Sequence, residues 1–276
     1  MHYEIQLQWI RALQHVLRTP WMDGFFRAWN YVDSQYFVLG AIILVWYLWD
    51  RRIGIRLFYI LVIGSVFIQF LKGLFHLPRP CQIDPSVGLL CFTSFGFPSG
   101  AAQLAAVISG VLFLECKRTL YRWLGLLFAL FLCFSRVYLG VHYPIDILGG
   151  LASGCVLLLL YAKVFPLFEK HWKVWALCFP FFLLLLKPVF SLSWYLVVYL
   201  CFSSLGLAAG LITYEKKDNR PAKSLALRWA QVFSVLAGVI ILFVLESKWP
   251  LLDIAWAFAE GYWVSFLGGW PRRVVN

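Results

Sequence analysis

Three separated stretches of the chain carry residue types suited to holding an anion. The first runs Lys72-Gly-Leu-Phe-His-Leu-Pro-Arg79-Pro80. The second is Phe97-Pro98-Ser99-Gly100, and the third is Ser135-Arg136-Val-Tyr-Leu-Gly-Val-His142-Tyr-Pro-Ile-Asp146. Lys72, Arg79 and Arg136 supply positive charge, and a guanidinium can bind two oxygens of a phosphate at once. Proline and serine opening a helix, with glycine beside them, aim free backbone N–H groups and the positive end of the helix dipole at an anion. His142 and Asp146 are four apart, a spacing that on a helix places both on one face. The carboxylate can then fix the imidazole tautomer and leave the second ring nitrogen as nucleophile or base.

Each element alone has a plainer explanation: a snorkelling cation, an ordinary helix cap, or a structural histidine near a cap. Their combination favours the phosphate reading.

The elements that must position these groups are membrane helices. The chain of 276 residues is 62% hydrophobic and 13% charged, with a mean hydropathy of +0.78. A soluble domain carries about 25% charged residues. One soluble core could not hide this much apolar surface. Aromatics make up 19%, including 14 Trp, as expected where amphipathic rings line bilayer interfaces. In lipid every backbone polar group must be satisfied within the segment, so the apolar runs are read as helices. Nine candidate spans follow, at about 34–49, 54–71, 99–114, 123–136, 146–162, 174–187, 188–214, 229–245 and 252–269. The sixth and seventh meet at Lys187-Pro188, and the last is weakened by Asp253 and Glu260.

The net charge of +11 follows the loops rather than a nucleic-acid stripe. Most Lys and Arg fall on one face, which is expected to be cytoplasmic. The N-terminus is then outside and the C-terminus inside. Lys72, Arg79 and Arg136 lie on the other, cation-poor face, where ionisable groups at membrane depth are functional candidates. The first residues lack the pattern of a cleaved signal and read as an amphipathic helix lying on the membrane surface. No nucleic-acid partner, zinc-type Cys/His spacing or dinucleotide loop is indicated.

Taken in order, the three stretches resemble the signature of the type 2 phosphatidic acid phosphatase superfamily of membrane lipid phosphatases. The resemblance implies an all-α polytopic helix bundle, with an interfacial segment at 1–33, a six-helix phosphatase core at 34–187 and about three further membrane helices at 188–276. It implies that His142 attacks phosphorus to form a phosphohistidine, oriented by Asp146. Lys72, Arg79, Ser99, the Gly100 amide and Arg136 would hold the phosphate oxygens, with no cofactor and no metal required. The expected substrate is a lipid phosphate or diphosphate, polyprenyl diphosphate among them, met at the periplasmic side of a bacterial inner membrane. Membrane lipids are the other expected partners, and the nine-span plan also looks like the glucose-6-phosphatase branch.

One position departs. The family's second motif continues with a histidine that protonates the leaving group, and this chain has Ala101. General acid catalysis is worth roughly 10²–10⁴ in rate. Either Ala101 is an engineered inactivating substitution, or it is native and the leaving group needs little protonation, as a diphosphate would. His76 is a candidate substitute acid. A non-catalytic lipid-phosphate binder or translocation protein on the same fold is the alternative reading. Cys81 and Cys91 share the outer loop and are expected to form a disulfide there.

Overall fold

The computed structural model describes residues 2–168, 178–182, 184–185, 194–216, 225–246 and 253–266. All regular structure among them is helical, as the composition requires. The helices are α1 (His2–Leu17), α2 (Pro20–Trp29), α3 (Gln35–Leu44, running into a π turn at Val45–Trp49) and α4 (Arg51–Phe75). After the single turn α5 (Pro80–Ile83) come α6 (Gly100–Glu115), α7 (Thr119–Tyr138) and α8 (Pro144–Lys163). The short α9 (Phe165–Phe168), then α10 (Trp194–Lys216), α11 (Leu225–Glu246) and α12 (Asp253–Phe266), complete the set. Three helical stretches, Arg51–Ile83, Thr119–Tyr138 and Pro144–Lys163, are long and apolar enough to cross a membrane, and a fourth is made if the bent pair 20–49 counts as one span. The α6 helix is apolar but shorter, at 16 residues. Half of the expected sixth span lies outside the described residues, as do the Lys187-Pro188 boundary and the side chains of Asp253 and Glu260.

The chain divides into two compact units: Met1–Val38 with Tyr59–Val164, and Leu39–Phe58 with Phe165–Asn276. In the first, α6 lies between α7 and α8, and small residues let the backbones approach. A Cβ at Gly150 would collide with the Ser99 carbonyl oxygen, and one at Gly125 would stand 3.3 Å from the Ser109 Cα. Such small-residue contacts replace the hydrophobic driving force that lipid does not supply. Gln103 is the polar rivet of this bundle. Its amide donates to the Gly64 carbonyl of α4 at 2.9 Å, and its oxygen accepts from Ser153 of α8 at 3.0 Å. Buried amides must be satisfied in this way, and here the satisfaction fixes α4, α6 and α8 in register directly beneath the three motifs.

The N-terminal segment does more than lie along a surface. On α1, Leu7 and Ile10 are buried against Val87 and Tyr143. Gln14 donates to the Val87 and Tyr138 carbonyls, both at 2.8 Å, and Arg11 pairs with Asp84 at 2.6 Å. The opposite side of α1 leaves Trp9 and Val16 exposed, which keeps an amphipathic face. On α2, Phe26 packs on Tyr138 and Leu139 at the end of α7. This segment therefore braces the loops that carry the third motif.

In the second unit, α10 and α12 meet through glycine. A Cβ at Gly206 would strike the Phe258 carbonyl oxygen, and one at Gly261 would strike that of Ser203. Tyr47 donates to the Val264 carbonyl at 2.7 Å.

Candidate active site

The site forms at one end of the first unit, where α4 ends and where α6 and α8 begin. Lys72 stands in the last turn of α4, and its ammonium donates to the Phe95 carbonyl at 3.0 Å. The helix stops at His76, which adopts a left-handed backbone (φ 52°) in the position usually given to glycine or asparagine. The chain then turns into α5 with Arg79 as its N-cap.

Arg79 is buried, with four of its five N–H groups engaged. Nε donates to the Ser94 carbonyl at 2.7 Å, Nη2 to the Ser94 hydroxyl at 2.9 Å, and Nη1 to the Val141 carbonyl at 3.0 Å. The loop that receives it, 92–96, is tethered by the Cys81–Cys91 disulfide, which forms as the sequence suggested. Gly96 allows that loop to close over the site, since a side chain there would press on the Pro78 carbonyl and the Asp146 carboxylate.

Ser99 caps α6: its hydroxyl accepts from the Ala102 N–H at 3.4 Å, and its own N–H donates to the Asp146 carbonyl at 2.9 Å. Ala101 and Ala102 follow as buried residues, and Ala101 packs on Ala105 and Leu132 with Trp29 close by. Position 101 thus offers a methyl group in apolar surroundings.

His142 and Asp146 meet, though not as expected. They do not share a helix face, because His142 sits in the turn before α8, whose first residue is Pro144. The contact arises because Asp146 is the third residue of α8 and folds back over its N-terminus. One carboxylate oxygen accepts from the Tyr143 N–H at 2.9 Å and lies 3.3 Å from His142 Nδ1. One carboxylate therefore caps the helix and orients the imidazole. His142 Nε2 faces Arg79 Nη1 at 3.2 Å. A proton on Nδ1 satisfies both contacts and leaves the Nε2 lone pair unprotonated, accepting from the Arg79 N–H, whereas the other tautomer would set two hydrogens against each other. Burial, and then the charges of Arg79, Lys72 and Arg136, push the His142 pKa well below its ordinary 6.5. The ring is neutral at pH 7, as a nucleophile must be.

Arg136 is 2% exposed at the end of α7. Nη1 donates to the Asn30 side-chain oxygen and lies 3.6 Å from the Asp33 carboxylate. Nε and Nη2 are buried and have no partner among the described residues. A half-satisfied guanidinium held in place on one side presents its remaining donors as a fork to an anion.

The structure thus gathers Lys72, Arg79, Ser99, Gly100, Arg136, His142 and Asp146 at one end of one unit. Sequence reasoning missed Ser94, Asn30 and Asp33, whose partners lie 15 to 106 positions away without motif spacing. His76 is exposed, with its ring edge-on to Phe95 at 4.6 Å. No group of three His, Cys, Asp or Glu side chains able to hold a metal occurs among the described residues.

Residues 53–170 match the PAP2 superfamily. The chain is 28% identical over 158 residues to "Phosphatidylglycerophosphatase B" of Bacillus subtilis (strain 168), covering 52% of this chain and 76% of that protein. It is 33% identical over 107 residues to an "Undecaprenyl-diphosphatase" of Sulfolobus acidocaldarius, covering 38% of this chain and 51% of the relative. The match thus spans three quarters of the first relative and about half of the second. Among solved structures it is similar to the crystal structure of Aquifex aeolicus LpxE, at a TM-score of 0.51 and 25% identity. That match covers 57% of this chain and 94% of the other.

Proposed function

We propose that this chain, carrying a PAP2 superfamily domain within an all-α membrane fold, is a phosphoric ester or anhydride hydrolase. Its substrate is a lipid phosphate or diphosphate, and its nucleophile is His142. The observation that carries this reading is the pair of unpartnered donors on buried Arg136, in one cluster with Lys72, Arg79 and a neutral imidazole. The named activities of the relatives, on phosphatidylglycerophosphate and undecaprenyl diphosphate, support a lipid-borne phosphate.

The chemistry runs in two steps. His142 Nε2 attacks phosphorus, the bond to the leaving oxygen breaks, and a phosphohistidine forms. Its positive charge is met through Nδ1–H by Asp146. Arg79, Arg136, Lys72, the Gly100 N–H and Ser99 steady the charge spread over the phosphoryl oxygens. Water then attacks the same phosphorus, the P–N bond breaks and phosphate leaves, or another acceptor takes water's place. Ala101 cannot give the leaving oxygen a proton. That favours a donor whose leaving group departs as a stable anion, and polyprenyl diphosphate is the preferred example.

Topologically, the reading places the site on the periplasmic side of a bacterial inner membrane, with the N-terminus outside. The Cys81–Cys91 bridge suits such an oxidising compartment. The same proposal keeps the division into an interfacial segment at 1–33, a core at 34–187 and added membrane helices beyond.

One observation favours a second reading. The methyl group at 101 also suits a protein that binds lipid phosphate, or helps move it, without turning it over. Incubating the purified protein with labelled polyprenyl diphosphate and phosphatidic acid, followed by an alkaline quench, separates the two. Label on His142 with phosphate release, both lost in His142→Asn, supports the hydrolase. Tight binding with neither label nor release, in the protein as it stands and in Ala101→His, would replace it with the binder.

A further inference from the structure

The chemistry above leaves the leaving-group proton without a source, and the neighbourhood of Ala101 supplies one. The 3₁₀ turn Asn30–Asp33 follows α2 directly, and its flanking Trp29 packs on the cluster formed by Ala101, Ala105 and Leu132. Asp33 lies one turn further on. Its carboxylate is 3.6 Å from Arg136 Nη1, and it interacts electrostatically with Lys72 and Arg79 as well as Arg136. It is thus a second carboxyl group paired with one phosphate-site cation and lying in the field of the other two, and it comes from outside the three motifs. Asp146 is occupied by His142 and the start of α8, whereas Asp33 has Arg136 alone as an ion-pair partner among the described residues. Its side chain is 30% exposed, open enough to exchange protons with water.

We propose that Asp33 is the general acid of this site, taking the part that the side chain at position 101 cannot play. The inference rests on the hydrolase reading and extends it to phosphate monoesters. In the empty site Asp33 is the carboxylate partner of Arg136. A bound phosphate draws Arg136 to itself and sets two anions side by side, an arrangement that is relieved when the carboxyl takes up a proton. As His142 Nε2 forms its bond to phosphorus and the P–O bond breaks, the Asp33 carboxyl passes that proton to the departing alkoxide and becomes a carboxylate. In the second step the Asp33 carboxylate takes a proton from the attacking water. The P–N bond breaks, phosphate is released, and both groups return to their starting states. Asn30, which also holds Arg136 Nη1, is a positioning residue with no proton to give.

The test is the dependence on the leaving group in Asp33→Asn, compared between phosphatidic acid and p-nitrophenyl phosphate, whose leaving group departs without a proton. We expect Asp33→Asn to slow the first by about 10²- to 10⁴-fold and the second by less than about 10-fold. Ala101→His should restore the first in the Asp33→Asn background while adding little to the protein as it stands. Retained p-nitrophenyl phosphate hydrolysis shows that the variant is folded. Equal loss on both substrates, no rescue by Ala101→His, or a loss that follows His76→Asn instead would overturn the assignment. Absence of label on His142 in the unaltered protein would count against the hydrolase reading itself, and label with leaving-group dependence unchanged against Asp33 alone.

Discussion

The two units bury polar groups for opposite purposes. At the site end of the first, the buried set includes Lys72, Arg79, Arg136, His142 and Asp146, large charged groups with directed partners. In the second, the buried polar residues of α10 and α12 among the described side chains are Ser203, Ser204 and Ser265, and glycines 206 and 261 carry the closest approach. Charge is costly to remove from water, and the first unit meets that cost with carbonyls around Lys72 and Arg79 and with one carboxylate each beside Arg136 and His142. Between α10 and α12 the groups are small, and the Ser265 hydroxyl bonds back into its own helix, to the Gly261 carbonyl at 2.9 Å, while the one buried cation described in that unit, Arg51, lies over the Trp46 ring. One region spends its sequence on aiming groups, and the other on bringing backbones together.

The contrast is broken most directly at Arg136. Arg136→Ala removes the unpartnered fork and should lower kcat for lipid phosphate hydrolysis by about 10²- to 10³-fold. Arg136→Lys keeps the charge but not the fork, and should recover only part of that loss. A full recovery by lysine would mean that charge alone matters and that the geometry of Nε and Nη2 does not.

A smaller effect separates aimed charge from mere burial. His142 attacks only when neutral, and its folded-state pKa lies well below 6.5. The proton that silences it therefore binds only at more acidic pH. The rate should hold from pH 7 down through 6.5 and then fall by about tenfold per unit once the pH drops below the His142 pKa. An acid limb at or above 6.5 would show that burial and the neighbouring cations do not act on the imidazole as described.

The smallest catalytic effect belongs to the other unit. Gly206→Leu forces α10 away from α12 and should lower thermal stability by about 1–3 kcal/mol, measured in detergent by unfolding. Activity per folded molecule should stay within about twofold. Unchanged stability would sink the close-packing account of these helices.

How much of this was legible beforehand follows from the same division. The motif residues could be read because their spacing is local: Asp146 must be the third residue of a helix beginning at Pro144 to reach both Tyr143 and His142. The helix positions followed from hydropathy, and α7 and α8 extend one to four residues beyond the expected apolar runs, α8 ending on Lys163. The partners of Arg136 could not be read, because Asn30 and Asp33 reach it only through the packing of α2 on α7. Nor could the bracing by α1, since an amphipathic pattern fits a helix against lipid as well as one against loops. Gln14 and Gln103 carried no motif, and their importance appears only when their amides are seen to join distant carbonyls.

Orthovanadate forms a five-coordinate mimic of phosphoryl transfer, and its structure in complex with this protein tests the central geometry in one measurement. The account predicts vanadium bonded to His142 Nε2, with equatorial oxygens on Arg136 Nε and Nη2, on Arg79 and on the Gly100 N–H. Vanadate bound elsewhere, or held by Arg136 with His142 turned away and unbonded, would contradict it.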